Sequence, residues 1–351
     1  MATRQSKLKI GIVGAGTVVK ARHLPALKKI PDVEIVAVCN SSYDSSEDCC
    51  RKYVPEARPY ANWAELVAEP DIDIVWIGTP PYLHSTISVS ALEAGKHVFT
   101  QARMALNLSE AEEMYAASLR NPHLVTMVCP APHGMRGNLF MQKMLADRFL
   151  GEPHHLRLQS LSGKYIDPDA PPHWRQRDEL SGLNVLTLGI YAEVVQRWFG
   201  RITHVFAHQK TINPVRHGYE IRIPDMVIVL CKFENGIEGV MEFSGVAPFE
   251  DSERLQAFGS EGMLAYDFVA DRVYGGRLGE KSAAEIEIPP ELEQHWRVEE
   301  DFIAACRSPA SIQPQPGFAQ GVQYMRVVQA VADSVNEERE VKIAGELCNV
   351  G

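Results

Sequence analysis

The feature that most restricts the fold of this chain is a short apolar strand that runs straight into a glycine turn near the N-terminus. The strand reads KIGIV over residues 9–13, and GAGTVV over residues 14–19 opens the helical pattern that follows. In a strand–turn–helix unit the first glycine permits the tight turn, and the second lets the backbone approach a pyrophosphate. Val19 stands where the usual third glycine would be. We expect a dinucleotide-binding turn made by Gly14, Gly16, Thr17 and Val18.

The first part of the chain alternates short apolar runs with helical patterns, which is typical of a doubly wound parallel sheet. The runs are rich in Ile and Val and are apolar on successive residues, as strands with helices on both faces are. Strands are expected over 9–13, 33–39, 72–78, 97–100 and 124–129, with helices near 20–30, 45–53, 62–69, 85–94 and 109–120. Ser109 and Glu112 predict a capping box for the last helix.

After residue 129 the pattern changes to strands in succession. These are expected over 154–161, 202–209, 226–233, 237–244, 254–258 and 263–268, with helices near 137–149 and 183–199. Asn235-Gly236 predicts a type I′ hairpin turn. We therefore expect an α/β Rossmann domain with a doubly wound parallel sheet over 1–129, and an α+β second domain with a mostly antiparallel sheet over 130–351. The C-terminal helix of the second domain could pack back on the first.

Composition excludes several classes of partner. Lys and Arg number 35 against 45 Asp and Glu, a net charge of −10, so the chain lacks the basic stripe of a nucleic-acid surface and a polybasic lipid anchor. No apolar run approaches the roughly 20 residues that span a bilayer. The seven cysteines form no zinc-type pair, and no metal-ligand constellation stands out. A cytoplasmic protein with reduced thiols, bound to neither nucleic acid, membrane nor metal, is expected.

The residues after the second strand bear on cofactor choice. A carboxylate there would bind the adenosine ribose of NAD, but this chain has Asn40, Ser41 and Ser42. Nothing in these three side chains repels a 2′-phosphate, although Asp44 follows closely. The expected cofactor is NAD(P), with a lean to NADP.

Longer segments resemble the oxidoreductase family of glucose–fructose oxidoreductase and inositol dehydrogenase, known as Gfo/Idh/MocA. They are KIGIVGAG with His23-Leu24-Pro25-Ala26 a few residues on, DIDIVWIGTPPYLH over 71–84, ALEAGKHV over 91–98, GEPHHLRL over 151–158, SGLNVLTLGIYAEVVQRWFG over 181–200, and residues 317–343. The resemblance implies a Rossmann domain and a substrate domain whose open sheet face serves oligomer contacts, hence a homodimer or homotetramer. It also implies NAD(P)-linked chemistry on sugars or polyols. It places on the cofactor side Thr79, Pro80, His84 and Gln101.

Two family motifs are altered in this chain. The family's Glu-Lys-Pro motif, whose lysine assists proton transfer, is replaced by Gln101-Ala102-Arg103, and alanine moves no proton. The helix motif Asp-x-x-x-His is replaced by Thr187 and Tyr191. Tyr191 is therefore the expected acid/base. A free phenol has a pKa of ~10, so a nearby cation would have to lower it, and Arg103 is the candidate.

Further polar residues are expected to bind substrate. Asn184 would lie two helical turns before Tyr191 on one helix face, and His133 is the rival base. The full set expected on the substrate side is His133, Arg136, His173, Trp174, Arg175, Asn184 and Thr187.

These features predict an NAD(P)-dependent oxidoreductase that acts on a sugar-like or polyol alcohol, or its ketone, by hydride transfer. One alternative is an NAD-dependent glycoside hydrolase or lyase that retains its cofactor and oxidises its substrate transiently. The other is a non-catalytic nucleotide-binding protein, which Ala102 favours.

Overall fold

The computed structural model describes residues 7–130, 134–312 and 314–345. The chain separates into two compact units: unit 1 comprises residues 1–130 and 297–322, and unit 2 comprises residues 131–296 and 323–351. Residues 297–322 thus group with unit 1, whereas their position in the sequence had placed them in the second domain.

Unit 1 is built on six parallel strands in the order β3-β2-β1-β4-β5-β6. This order is that of a Rossmann fold and confirms the predicted doubly wound sheet. The strands are β1 (Leu8–Val13), β2 (Val33–Cys39), β3 (Arg58–Tyr60), β4 (Ile74–Ile77), β5 (His97–Thr100) and β6 (Thr126–Val128). The helices before residue 130 are α1 (Leu24–Leu27), α2 (Tyr43–Tyr53), α3 (Trp63–Ala68), α4 (His84–Glu93) and α5 (Leu108–Arg120).

The central strands are buried on successive residues, as the sequence predicted. All four residues of β4 are buried, because helices cover both faces of a parallel sheet. The capping box at Ser109 is wrong: Asn107 caps α5, and its side chain accepts a hydrogen bond from the Glu110 N–H. The short edge strand β3 was not predicted from the sequence.

Unit 2 is built on a nine-stranded sheet in the order β16-β15-β14-β13-β7-β12-β11-β8-β17. Only the β7–β12 pair is parallel, so the predicted mostly antiparallel sheet is confirmed. Its strands are β7 (Pro153–Ser162), β8 (Ile202–Lys210), β11 (Met226–Phe233), β12 (Glu238–Ser244), β13 (Asp251–Gly259), β14 (Gly262–Asp267), β15 (Arg272–Arg277), β16 (Ala284–Ile286) and β17 (Val341–Lys342), and β9 (Val215–Arg216) pairs separately with β10 (Tyr219–Glu220).

The remaining helices are α6 (Asn138–Ala146), α7 (Asp178–Ser181), α8 (Leu188–Phe199), α9 (Val298–Arg307) and α10 (Phe318–Glu337). Burial alternates along the central strands of unit 2, so one face of the sheet is covered and the other is open. Tyr191 on α8 stacks on Phe243 of β12 at 6.3 Å between ring centroids. Helix α8 therefore packs on the covered face.

The predicted hairpin joins β11 to β12, but its turn is not type I′. Gly236 has a φ of +86°, whereas Asn235 is not among the described residues with positive φ, and a type I′ turn needs positive φ at both positions. Across the described ranges, no helix is both long enough and apolar enough to traverse a bilayer.

Candidate active site

The glycine turn after β1 packs tightly against the residues that follow β4. Gly14 has a φ of +87°, and a Cβ on it would lie 2.6 Å from the Thr79 backbone nitrogen. A Cβ on Gly78 would collide with the Gly14 carbonyl oxygen. Both positions therefore require glycine for the packing of the protein itself.

Gly16 is different, because its surroundings leave room for a side chain. A Cβ there would have its nearest neighbour 3.9 Å away, and Gly16, Thr17 and Val18 are exposed. Nearby, the Thr79 hydroxyl is buried and has no hydrogen-bond partner among the described residues. The open space at Gly16 and the unpartnered hydroxyl fit a nucleotide that approaches the turn closely.

Asn40 at the end of β2 holds this turn in place. Its side-chain oxygen accepts a hydrogen bond from the Ala15 N–H at 2.8 Å, and its amide donates to the Ser45 carbonyl at 3.0 Å. Ser42 caps α2 by accepting from the Ser45 N–H, while Ser41 is exposed. Of the three residues expected to select the cofactor, Ser41 thus has the least engaged side chain.

His84 is fully buried and ties together the ends of two strands. Its Nδ1 lies 3.0 Å from the Arg103 carbonyl and 3.1 Å from that of Met104, and its Nε2 lies 2.8 Å from that of Thr79. Burial lowers the pKa of His84 to about 4. The imidazole therefore braces the segments after β4 and β5, next to Thr79 and Pro80, which are partly exposed.

A second buried histidine, which sequence reasoning did not select, lies beneath Gln101. The His23 Nδ1 is 2.5 Å from a Glu299 carboxylate oxygen, with both side chains fully buried. The His23 Nε2 is 2.5 Å from the partly exposed Gln101 amide. The Gln101 amide donates to Nε2, and the ring bridges this amide to the Glu299 carboxylate. The sequence signal that could have identified His23 is its place in the segment His23-Leu24-Pro25-Ala26, which resembles the family.

Arg103 is also buried in unit 1, with 2% of its surface exposed. Its side chain therefore lies below the surface of this unit, three residues after the end of β5. Ala102, which the sequence resemblance led us to expect at the position of the family's lysine, is partly exposed.

Tyr191 of unit 2 donates its phenolic hydrogen to the Glu253 carboxylate at 2.7 Å. Only 1% of its surface is exposed. Burial, together with the charge of Glu253, raises the pKa of Tyr191 well above its ordinary value. Within unit 2 the phenol therefore has a carboxylate beside it and not the cation that would lower its pKa.

Glu253 joins Tyr191 to two hydroxyl side chains. Ser160 Oγ lies 3.2 Å from the second Glu253 oxygen and 2.8 Å from Thr187 Oγ1. We call Tyr191, Glu253, Ser160 and Thr187 the α8 cluster. The structure thus unites Tyr191 and Thr187, while sequence reasoning missed Glu253 and Ser160, which lie in strands without a motif.

Three expected substrate residues form a separate turn. The His173 ring accepts a hydrogen bond from the Arg175 N–H, and the Arg175 guanidinium lies 4.4 Å from the centre of the Trp174 ring. Burial lowers the pKa of Arg175, and no carboxylate among the described residues pairs with it. A stacked, uncompensated guanidinium beside an indole suits a polar ligand.

Three further residues were expected to bind substrate: Arg136, Asn184 and His133. Arg136 is exposed and forms a salt bridge with Glu293. Asn184 is buried and donates to the Ser181 carbonyl at 2.6 Å; its predicted place on the helix of Tyr191 is wrong, because α8 begins only at Leu188. His133 lies outside the described residues.

A Rossmann sheet with an open glycine turn defines a dinucleotide-binding protein, and comparison with known proteins specifies the family. The family model described as "Oxidoreductase family, NAD-binding Rossmann fold" (GFO_IDH_MocA) matches residues 8–128. The C-terminal domain model of the same family matches residues 139–265. The chain therefore belongs to the Gfo/Idh/MocA family and is an NAD(P)-dependent oxidoreductase.

Individual relatives agree with this assignment. Levoglucosan dehydrogenase of Pseudarthrobacter phenanthrenivorans is 23% identical, over 96% of this chain and 98% of that protein. Myo-inositol 2-dehydrogenase of Thermotoga maritima is 25% identical, over 75% and 76%. The structure of levoglucosan dehydrogenase in complex with NADH and L-sorbose superposes with a TM-score of 0.86 at 20% identity, over 97% of this chain and all of that one.

Proposed function

We propose that this protein oxidises a secondary alcohol of a sugar-like or polyol substrate to the ketone, and catalyses the reverse reduction. The observation that supports the proposal is the α8 cluster, in which a carboxylate and three hydroxyl groups are hydrogen-bonded to one another on and beside helix α8. Named relatives act on levoglucosan and myo-inositol, so polyhydroxylated rings are the first substrates to test.

The bound nicotinamide supplies hydride acceptance in this reaction. The chain must then supply a group that takes the hydroxyl proton. Ala102 supplies none, so we assign proton transfer to Tyr191 and its hydrogen-bonded neighbours. Arg103 is proposed to stabilise negative charge that develops on the substrate oxygen, since a guanidinium stays protonated.

The test is to mix purified protein with excess cofactor and a panel of polyols and to follow reduced nicotinamide. Stoichiometric accumulation supports the dehydrogenase. Product without accumulation would instead indicate a hydrolase or lyase that retains its cofactor, and neither signal across the panel would favour the non-catalytic alternative suggested by Ala102.

For the cofactor we propose that the turn at residues 14–18 binds NAD(P), with NADP preferred. Gly16→Asp places a carboxylate where a pyrophosphate would meet backbone N–H groups, so it should abolish binding. Calorimetric titration of both nucleotides tests this, and undiminished affinity in the variant would refute the turn as the binding site.

The preference for NADP depends on the residues after β2. Asn40→Asp keeps an acceptor for the Ala15 N–H, so the turn should survive, while the added charge should move the affinity ratio toward NAD. Wild-type protein that prefers NAD, or a ratio that does not move, would contradict the preference. Ser41→Asp is the matched variant, because Ser41 is exposed.

We further propose that the chain forms a homodimer or homotetramer through the open sheet face. Leu230 is 53% exposed and lies between Phe206 and Val240 on adjacent strands. An apolar row of this kind suits contact with a second copy. Leu230→Glu should lower the oligomeric state measured by light scattering, and a wild-type monomer would refute the proposal.

A further inference from the structure

The position of Glu253 on the sheet is unusual for a charged residue. In strand β13 Glu253 follows the same alternation as Leu255 and Ala257, which are fully buried or nearly so. Its direct partner on β7 is Ser160, just as the partner of Leu255 is Leu158. A carboxylate and a hydroxyl therefore extend an apolar row on the covered face, where a polar group is costly unless it is hydrogen-bonded.

The neighbours of Glu253 hold its two oxygens from different sides. Tyr191 reaches one oxygen from α8, and Ser160 reaches the other from β7. Thr187, at the position of the family's helix aspartate, bonds to Ser160. Each carboxylate oxygen accepts two hydrogen bonds, so both retain a lone pair after these contacts.

Exposure separates Glu253 from its neighbours. Tyr191 is 1% exposed and Ser160 is 7% exposed, whereas Glu253 is partly exposed. A substrate hydroxyl can therefore reach the carboxylate more readily than the phenol. A carboxylate can also accept a proton directly, whereas the hydroxyls of Tyr191, Ser160 and Thr187 would first have to lose one.

We infer that Glu253 is the catalytic residue that accepts the substrate's hydroxyl proton, with Tyr191 and Ser160 as positioning residues that hold its carboxylate. This inference rests on the proposed dehydrogenase function and specifies its base. A strand carboxylate thus takes the place of the acidic and basic groups that the family's two motifs have lost in this chain.

The step balances with the dinucleotide as oxidant. The substrate O–H bond breaks and its proton passes to a Glu253 oxygen, while the carbinol C–H bond breaks and its electron pair leaves as hydride to NAD(P)⁺. A C=O bond forms, and Glu253 later releases the proton to water. In the reverse reaction protonated Glu253 donates to the carbonyl oxygen.

The principal test is Glu253→Gln, which keeps the size of the side chain and removes its basicity. Single-turnover hydride transfer should fall by ~10²–10⁴-fold, the usual contribution of a positioned base. The matched control is Glu242→Gln, because Glu242 is a partly exposed carboxylate on the same sheet that bonds to Gln159 on the opposite face. That control should keep the wild-type rate.

The pH profile separates the base from its positioning residues. The wild-type rate should fall as acid protonates Glu253, and Glu253→Gln should lose this limb. Tyr191→Phe removes a donor that favours the charged carboxylate, so it should keep the acid limb and move it to higher pH. Added formate should partly restore Glu253→Ala, but not Tyr191→Phe.

Two outcomes would overturn the inference while leaving the dehydrogenase intact. One is a folded Glu253→Gln protein with an undiminished rate. The other is a Tyr191→Phe protein that loses both the rate and the acid limb, which would make the phenol the acceptor. A wild-type protein that transfers no hydride to or from any polyol would instead overturn the proposed function, and this inference with it.

Discussion

Each unit contains a hydrogen-bonded chain that includes a glutamate, and the two glutamates differ in their exposure. In unit 1 the partly exposed end is the neutral Gln101 amide, and the Glu299 carboxylate is fully buried behind His23. In unit 2 Tyr191 is buried at one end of the chain, whereas Glu253, between Tyr191 and Ser160, is partly exposed.

The group that is exposed decides whether each chain can exchange a proton with a ligand. An amide exchanges no proton with a ligand at neutral pH, so the chain in unit 1 orients Gln101 and stabilises the fold. A partly exposed carboxylate can exchange a proton with a ligand. A buried carboxylate alone therefore does not indicate a catalytic role. Which group of its hydrogen-bonded chain is exposed must also be considered.

The largest effect on stability is expected from Glu299→Ala. Removing the fully buried Glu299 side chain leaves a cavity and removes the hydrogen-bond partner of a His23 ring nitrogen. Together these cost about 3–5 kcal/mol, which is a large fraction of the stability of a typical protein. Urea unfolding followed by circular dichroism measures this cost. Glu299→Gln keeps the volume of the side chain and should destabilise the protein clearly less. Equal stability of the alanine variant and wild type would show that the Gln101–His23–Glu299 chain does not stabilise the fold.

A smaller effect, dependent on pH, is expected from His84, a buried histidine without a carboxylate partner among the contacts described above. Its folded pKa of about 4 lies below its ordinary 6.5, so between these values the unfolded chain binds more protons. Stability is thus complete above pH 6.5 and declines by about 3 kcal/mol as the pH falls toward 4.

Unfolding experiments across this pH range test the contribution of His84. His84→Gln should flatten the decline relative to wild type, whereas the exposed control His208→Gln should leave it unchanged. An unaltered slope in His84→Gln would mean that His84 is already charged in the folded protein.

The smallest effect is expected from Ser160→Ala. The hydroxyl donates one hydrogen bond to the partly exposed Glu253, and such bonds contribute about 1 kcal/mol. Thermal unfolding should therefore change little, while the acid limb of the rate moves toward higher pH. A destabilisation as large as that of Glu299→Ala would show that the α8 cluster is a structural core like its counterpart in unit 1.

Sequence patterns predicted the elements whose periodicity is strong. The buried strands of unit 1 and the alternating strands of unit 2 lie close to their expected positions, because runs of Ile and Val and period-two alternation report burial directly. Predictions of helix caps and turn types were less reliable. Asn107 caps α5 in place of the predicted Ser109, and the turn at Asn235-Gly236 is not type I′.

The candidate site was predicted only where a motif marks it. Gly14 and Tyr191 lie in recognisable segments, whereas Glu253 and Ser160 become neighbours through the pairing of β13 with β7, which single-sequence spacing does not encode. The placement of Asn184 failed because the helix was expected to begin near residue 183, whereas α8 begins at Leu188. Contacts over long sequence distances account for what the sequence could not predict.

The glycine turn of unit 1 has a consequence for how the unit assembles. The turn after β1 takes its shape from Asn40 at the end of β2 and from Thr79 after β4. A fragment that stops before β4 therefore contains the whole glycine motif but only part of its support. Nucleotide affinity at this turn is therefore expected only in fragments that extend through β4 to Thr79.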